Sequence, residues 1–398
     1  MSREDIMKRL RGPKGTKVRL GVVRNGIKDR LTFNVTRDKI PVKTVDAVYM
    51  IRPEVGYIRI GSFGSTTHDE FMEGMKKLAR QGMKKLVLDL QKNGGGYLQA
   101  AVQVADEFLH RDDMIVYTDG RQAPRMEYKA KGNGTFTDGQ IAILVDSYTA
   151  SAAEIVTGAI QDHDRGIVIG RRTYGKGLVQ RPFDMPDGSM IRLTVAHYYT
   201  PSGRCIQKSF LRGDNESYEA EILERYNHGE NFVADSADFR SGEVFTTVGG
   251  RKVYGGGGIM PDVFVPADTT FFSPYYRDLV AKGVVNQYCL GYVDRHRAEL
   301  LKAYPDEDAF IARFEVTPEM EKELIEAGER DKITYNDEQW QRSRPYVLAV
   351  LKGLLTRDLY EEGSYFRAVN PLSPDYREAL RVISDDRLYR SILDGTAQ

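Results

Sequence analysis

The sequence predicts a mixed α/β protein, and three observations carry that prediction. Between Tyr57 and Ile169, short apolar strands alternate with amphipathic helices, the pattern of a largely parallel sheet joined by helical crossovers. The strands end in turns rich in glycine or hydroxyls, Gln91–Gly96 and Thr149–Glu154 among them, and an α/β core presents reactive groups at such strand ends. From about Phe271 a mostly helical pattern, rich in Arg, Glu and Tyr, runs to the end of the chain.

Taken in order, Ser2–Leu10 has helical periodicity with Ser2 as its N-cap. Lys17–Val23 and Arg30–Val35 alternate apolar and polar residues as strands do, with Asn25-Gly26 as the turn signal between them. Tyr57–Ile60 reads as a strand. Asp69–Gln81 places Phe71, Met75 and Leu78 on one helical face. Lys85–Leu90 is a short apolar strand, Leu98–Leu109 a helix, Ile141–Val145 a buried strand, Ser151–Gln161 a helix and Ile167–Ile169 another strand. Met190–Tyr199 again reads as a strand. Residues 208–257 are polar, charged and glycine-rich, and are expected to form an insertion rather than core. Trp340–Tyr360 is the strongest helix of the C-terminal region. The expected domains are 1–40, then 41–270 with the insertion at about 208–257, then 271–398.

Composition excludes more than it identifies. The 398 residues allow two or three domains and a sizeable core. Lys plus Arg and Asp plus Glu both number 57, so there is no basic excess for nucleic acid to recognise. No apolar run is long enough to be a transmembrane segment. Met1–Gly12 is charged and lacks the apolar stretch of an export signal. Cys205 and Cys289 match no zinc spacing, and both a single bridge and two free thiols are open. No metal or cofactor is expected.

Two segments point to chemistry. Thr149-Ala150-Ser151-Ala152-Ala153-Glu154 offers a serine framed by small residues, and Thr173-Tyr174-Gly175-Lys176-Gly177-Leu178-Val179-Gln180 offers a lysine. Serine is a weak nucleophile until a base takes its proton. His68, His110, His163, His197, His228 and His296 are scattered, and no G-x-S-x-G elbow is present. Lysine is the established alternative base. Free lysine titrates near ~10.4, so a lysine base near neutrality needs burial or neighbouring cations to disfavour its ammonium. Arg171, Arg172, Tyr174, Leu178 and Val179 are the neighbours at hand. The helix after Ser151 would aim its amide end at a developing oxyanion.

Each segment also has a plainer reading. Ser151-x-x-Glu154 is a capping box, and Lys176 alone is an ordinary loop lysine. Gly170–Gly177 approaches a phosphate-binding P-loop, with Leu86–Asp89 as an acidic strand. However, Gly177 stands where a hydroxyl should hold magnesium, and Pro182 interrupts the helix that should follow. A third segment, Asp89-Leu90-Gln91-Lys92-Asn93-Gly94-Gly95-Gly96, ends a strand in bare amides that suit an anion.

Together these segments resemble the carboxyl-terminal processing (tail-specific) protease family over about residues 9–207 and again at 257–265. The matches run in order: Leu10–Val18, Gly56–Ile60, Asp89–Gly96, the Ser151 and Lys176 segments, Tyr198–Arg204 and Gly258–Asp262. The resemblance implies a core related to the crotonase and Clp protease fold, with a PDZ domain attached. It implies Ser151 as nucleophile, Lys176 as general base and Gln180 as the residue that orients the lysine. The oxyanion hole would use the amide of Ala152 and one from Gly95 or Gly96. It further implies a serine endopeptidase working through an acyl-enzyme, free of metal and nucleotide. Its substrates would be exported proteins with unstructured apolar C-terminal tails, in the periplasm or another extracytoplasmic space. A catalytically degenerate peptide-binding relative is the alternative.

The departures from that pattern are specific. Where the family has Asp-Leu-Arg-x-Asn-Pro-Gly-Gly, this chain has Gln91 and Gly94, and losing the proline leaves the turn less restricted before ligand binds. Ala153 replaces a common serine. The C-terminal helical region lies beyond the match, with a supporting base, self-association as a homo-oligomer and partner binding as its candidate roles. Residues 2–35 resemble only the closing part of a PDZ domain. The carboxylate-holding loop and the peptide-pairing strand would precede Met1, so an incomplete PDZ segment of a longer exported protein is expected. Little preference for a free C-terminal carboxylate should follow.

Overall fold

The computed structural model describes residues 2–24, 27–40, 42–209, 215–233 and 243–396. The chain divides into two compact units, Met1–Lys43 with Phe272–Ala368, and Thr44–Phe271 with Val369–Gln398. The N-terminal part of the first unit opens with helix α1 (Arg3–Leu10). Its cap is reciprocal: the Asp5 amide donates to the Ser2 hydroxyl, and the Ser2 amide donates to the Asp5 carboxylate. Strands β1 (Lys17–Val22) and β2 (Leu31–Thr36) pair antiparallel with Lys17 opposite Thr36. The turn signal Asn25-Gly26 lies outside the described residues.

The second unit holds the main sheet. In chain order its elements are β3 (Val45–Arg52), β4 (Val55–Ile60), α2 (Thr67–Arg80), β5 (Lys85–Asp89), α3 (Leu98–Asp106), β6 (Met114–Gly120), β7 (Ala123–Lys129), β8 (Gln140–Val145), α4 (Ala152–Asp162) and β9 (Ile167–Gly170). They continue with β10 (Leu178–Asp184), β11 (Met190–Tyr199), α5 (Asn215–Asn227), β12 (Val244–Thr246), β13 (Lys252–Tyr254) and β14 (Val263–Phe264). The sheet order is β14-β9-β8-β5-β4-β3. Pairing is parallel from β14 to β4 and antiparallel only between β3 and β4. Leu86–Leu88, Ile141–Val145 and Ile167–Ile169 are aliphatic runs with every residue buried, as expected of strands covered on both faces.

Alternation along those strands assigns the faces. Ile58, Ile60, Leu86, Leu88, Ile141, Ile143 and Val168 join one core with Phe71, Leu78, Val104 and Ile155 of α2, α3 and α4. Full burial of one such side chain contributes about 1.5–3 kcal/mol. Strands β10, β11, β6 and β7 form a separate antiparallel sheet in that order. The sequence signals missed both β6 and β7; β7 is almost wholly solvent-facing and has no apolar stripe.

In the first unit, α6 (Pro274–Ala281), α7 (Val284–Ala303), α8 (Glu307–Arg313), α9 (Pro318–Arg330), α10 (Asp337–Leu359) and α11 (Ser364–Val369) follow. Ser273, Asp306, Thr317 and Asn336 each cap a helix through a side-chain oxygen, which explains where α6, α8, α9 and α10 start. Trp340 is buried in α10 with its ring edge-on to Tyr275 at 6.2 Å. Helices α12 (Pro374–Ser384) and α13 (Asp386–Leu393) return to the second unit. There α12 packs on β5, β8 and β9, and Tyr376 meets Tyr57, a β4 residue facing away from the α2–α4 core. Tyr389 of α13 exchanges hydrogen bonds with the Ile141 amide and carbonyl, both at 3.0 Å. No helix among the described residues is long and apolar enough to cross a membrane, and Cys205 and Cys289 are free thiols.

Candidate active site

Ser151 closes the turn between β8 and α4. That turn is locked to the one after β5. The Thr149 hydroxyl donates to the Leu90 carbonyl (2.8 Å), the Lys92 amide donates to Asp146 (3.0 Å), and the Ala150 amide donates to the Asn93 carbonyl (2.9 Å). Ser151 itself has φ +58° and ψ −118°, an arrangement that costs a non-glycine residue on the order of 1–3 kcal/mol. The serine and Glu154 approach in the manner of a capping box, but the Glu154 amide bonds the Ser151 carbonyl at 2.8 Å and the serine side chain makes no cap hydrogen bond.

The glycine turn lies directly against this serine. A Cβ on Gly95 would sit 2.6 Å from Ser151 Cβ and 2.8 Å from the Ala152 amide nitrogen. Any side chain there would collide with Ser151, and φ +90° disfavours one in any case. The Gly95 amide donates to Asn93 Oδ1 at 2.8 Å, and Asn93 is anchored to the Ile60 carbonyl. Phe63 pairs with the flanking Gly95 carbonyl and Tyr97 amide, which turns the Gly96 N–H away from that segment.

Lys176 lies in the loop between β9 and β10. One buried carboxylate joins this loop to the serine. Glu154 accepts the amides of Ser151 (2.8 Å), Gly175 (2.7 Å) and Lys176 (2.9 Å), and the hydroxyl of Thr173 (2.5 Å). Burial pushes its carboxyl up, while these four donors pull it the other way. The fully buried Tyr198 hydroxyl makes a second link, 2.9 Å from the Ser151 carbonyl and 2.6 Å from the Lys176 carbonyl. The serine and lysine backbones are thus held together twice. Sequence reasoning read Glu154 only as a cap. The signal that could have flagged it is a carboxylate in an otherwise apolar helix, which must find partners if buried.

The remaining expected residues fall as follows. Ser151 and Lys176 are both half-buried, and Gln180 is exposed on β10 just after a bulge at Val179/Gln180. No hydrogen bond joins any two of the Ser151 hydroxyl, the Lys176 amine and the Gln180 side chain; in unliganded sites such bonds commonly tighten only with substrate. Arg171 and Arg172, expected to lend positive charge near the lysine, are instead paired with Asp375 and Glu230. The P-loop reading fails on geometry: Glu154 consumes the Gly175 and Lys176 amides that would cradle phosphate, and strand β10 follows where a helix should.

The described part of the insertion braces the lysine loop. Arg225 of α5 donates to the Thr173 carbonyl at 2.8 Å, Glu230 holds Arg172, and the Lys208 amide donates to the Gly175 carbonyl at 2.9 Å. The Lys208 ammonium pairs with Glu221 at 2.9 Å and lies 4.2 Å from the Tyr174 ring centre; burial lowers its pKa. Asp89, at the start of the glycine turn, is paired with Arg59 and Tyr57, and Arg59 also donates to the Gln91 carbonyl at 2.8 Å. An arginine therefore still grips this turn, from β4 rather than from position 91. A cavity of about 140 Å³ is lined by Leu98, Met126 and Val179 together with Thr118, Gln122 and Arg181, among others.

Residues 54–216, which contain Ser151, Lys176, Gln180 and the glycine turn, match the model of peptidase family S41. Residues 275–361 match a second model, a family of unknown function. A carboxyl-terminal-processing protease of Picosynechococcus sp. is 40% identical over 213 residues, 53% of this chain and 51% of that protein. One from Synechocystis sp. is 39% identical over 217 residues, 54% of this chain and 50% of that protein. The solved structure of the photosystem II D1 C-terminal processing protease shares 34% identity at a TM-score of 0.38, covering 52% of this chain and 57% of that one. The chain spans about half the length of the curated relatives it matches.

Proposed function

We propose that this chain, which belongs to peptidase family S41 through residues 54–216, is a serine endopeptidase that cleaves protein substrates through an acyl-enzyme. The observation that carries the reading is the double tie between the two reactive segments, Glu154 to the amides of Ser151 and Lys176, and Tyr198 to their carbonyls. A fixed nucleophile–base geometry is what an activated serine requires.

In this mechanism neutral Lys176 accepts the Ser151 proton as Oγ attacks the scissile carbonyl. The oxyanion forms against the Ala152 amide at the start of α4 and the Gly96 amide, the Gly95 amide being already engaged by Asn93. Lys176 then returns the proton to the departing amine. Water, deprotonated by the same lysine, releases the acyl group from Ser151. Gln180 orients the lysine. The cavity beside Leu98 and Val179 takes an apolar side chain next to the scissile bond, which favours apolar tails.

The second unit is a crotonase- and Clp-related core, and residues 1–40 are a PDZ-like segment. The substrates are exported proteins met outside the cytoplasm, and α6–α11 serve support or self-association. The test is proteolysis of an unstructured protein with an apolar C-terminus, with fluorophosphonate labelling mapped to its residue. Cleavage and labelling that both vanish in Ser151→Ala support the reading. A folded wild type that binds such tails but neither cleaves nor labels is the degenerate relative.

A further inference from the structure

Lys176 sits between Gly175 and Gly177, residues that leave a backbone free to swing unless something pins it. Both peptide planes that meet at its Cα are pinned at both ends. In the plane before it, the Gly175 carbonyl accepts the Lys208 amide (2.9 Å) and the Lys176 amide donates to Glu154 (2.9 Å). In the plane after it, the Lys176 carbonyl accepts the Tyr198 hydroxyl (2.6 Å) and the Gly177 amide donates to Gln207 Oε1 (2.9 Å). The Gln207 amide has one workable orientation. Its Nε2 donates to the Lys208 carbonyl at 2.8 Å and to the Tyr218 hydroxyl at 3.4 Å, and a flipped amide would point its hydrogens at the Gly177 N–H. Gln207 is half-buried between the buried Ile206 and Lys208, and a Cβ on Gly177 would lie 3.1 Å from its backbone nitrogen.

We propose that Gln207 is a positioning residue for Lys176, acting through the Gly177 amide. This rests on the Ser151–Lys176 reading above. A peptide unit is planar, so the aim of a Cα–Cβ bond is set by the two planes on either side of it. Without the Gln207 oxygen, the plane after Lys176 keeps only the Tyr198 hydroxyl. It can then pivot about that bond, and glycine at 177 offers little resistance. The lysine amine stands at the end of a flexible four-carbon stem, so a small turn of the backbone becomes a larger displacement at the base. Misplacement of reacting groups by about 1 Å can cost on the order of 100-fold in rate.

The test uses the full chain and its Gln207→Leu and Gln207→Asn variants. Leucine fills the space without an oxygen; asparagine keeps the amide but is a methylene too short to reach Gly177. Readouts are kcat and KM on a peptide with an apolar residue at the cleaved bond, the rate of Ser151 labelling by a fluorophosphonate, and hydrogen exchange across residues 173–180. Both variants should lower kcat about 10- to 100-fold with KM within about twofold. Labelling should slow in parallel, and exchange should quicken across 173–180 but not at the β8–α4 turn. If Gln207→Leu does not fold, Gln207→Asn decides. A folded variant with lower melting temperature but wild-type kcat and labelling overturns the proposal, leaving Gln207 a stability residue only. Slowed turnover with unchanged exchange across 173–180 overturns it too, because Gln207 would then act elsewhere. Failure of the underlying reading appears separately, as a wild type that is unlabelled at Ser151 or a Ser151→Ala that still cleaves.

Discussion

The serine turn and the lysine loop are built in opposite ways. The serine turn is held by what lies beside it: its own helix α4, the Asp146–Thr149 turn and the glycine turn at the next strand end. The lysine loop owes its shape to residues from elsewhere. Glu154 and Tyr198 hold its amides and carbonyl, Arg225 and Glu230 brace it from the insertion, and Asp375 anchors its first arginine from the C-terminal helix. Ser151 is held by its own helix, the adjoining strand end and Tyr198, whereas Lys176 draws in addition on the insertion and the C-terminal helix. Changes far from the chemistry should therefore act through Lys176 rather than Ser151.

The sharpest way to break this comparison is to remove either member of the pair. Ser151→Ala and Lys176→Ala should each lower kcat by about 10⁴-fold or more, and the double variant should be no worse, because members of a catalytic unit are not additive. Lys176→Arg should match Lys176→Ala, since arginine keeps the charge but does not give up its proton. Retention of most of the rate in either lysine variant, measured on folded protein, would dissolve the pair.

Glu154→Gln should come next, because it takes two acceptor lone-pair sites from a carboxylate with four donors around it. We expect kcat to fall by about 100-fold and stability by about 1–3 kcal/mol, read by steady-state kinetics and urea unfolding. Its pH dependence has a definite sign. Burial raises the Glu154 carboxyl above its ordinary 4.5. The stability it contributes is full below that value and is lost as pH rises through the folded titration. The wild type should therefore lose stability relative to Glu154→Gln as pH rises above 4.5; a constant gap between the two melting curves would contradict this.

Smaller effects should separate the two regions. Tyr198→Phe keeps the ring but loses the hydroxyl shared by both carbonyls, and should cost about 1 kcal/mol of stability with roughly tenfold in kcat. Arg225→Met should loosen only the lysine side. It should expose the loop to limited proteolysis after Tyr174 while leaving the β8–α4 turn protected in hydrogen exchange. Equal loosening of both segments would show that the serine turn also depends on the insertion.

The same contrast explains what the sequence disclosed. Strands β5, β8 and β9 were legible because uninterrupted aliphatic runs demand burial on two faces, and α2 because Phe71, Met75 and Leu78 repeat at helical spacing. Ser151 and the glycine turn were legible because small residues, a helix start and bare amides lie close together in the chain. The bracing of Lys176 was not. Arg225 lies 52 positions from Thr173 and Asp375 lies 204 from Arg171, and no local pattern encodes a partner at that distance. Arg171 and Arg172 were misjudged for the same reason: their charges looked available in sequence and are neutralised in space. Strand β7 escaped notice because a solvent-facing strand pairs through its backbone, which any side chains allow.

The most direct measurement is the rate and site of fluorophosphonate labelling in wild type and Lys176→Arg, each checked for folding by circular dichroism. The account predicts modification at Ser151 in the wild type and none detectable in Lys176→Arg. Labelling of Lys176→Arg at the wild-type rate, or modification at a serine other than Ser151, would contradict it.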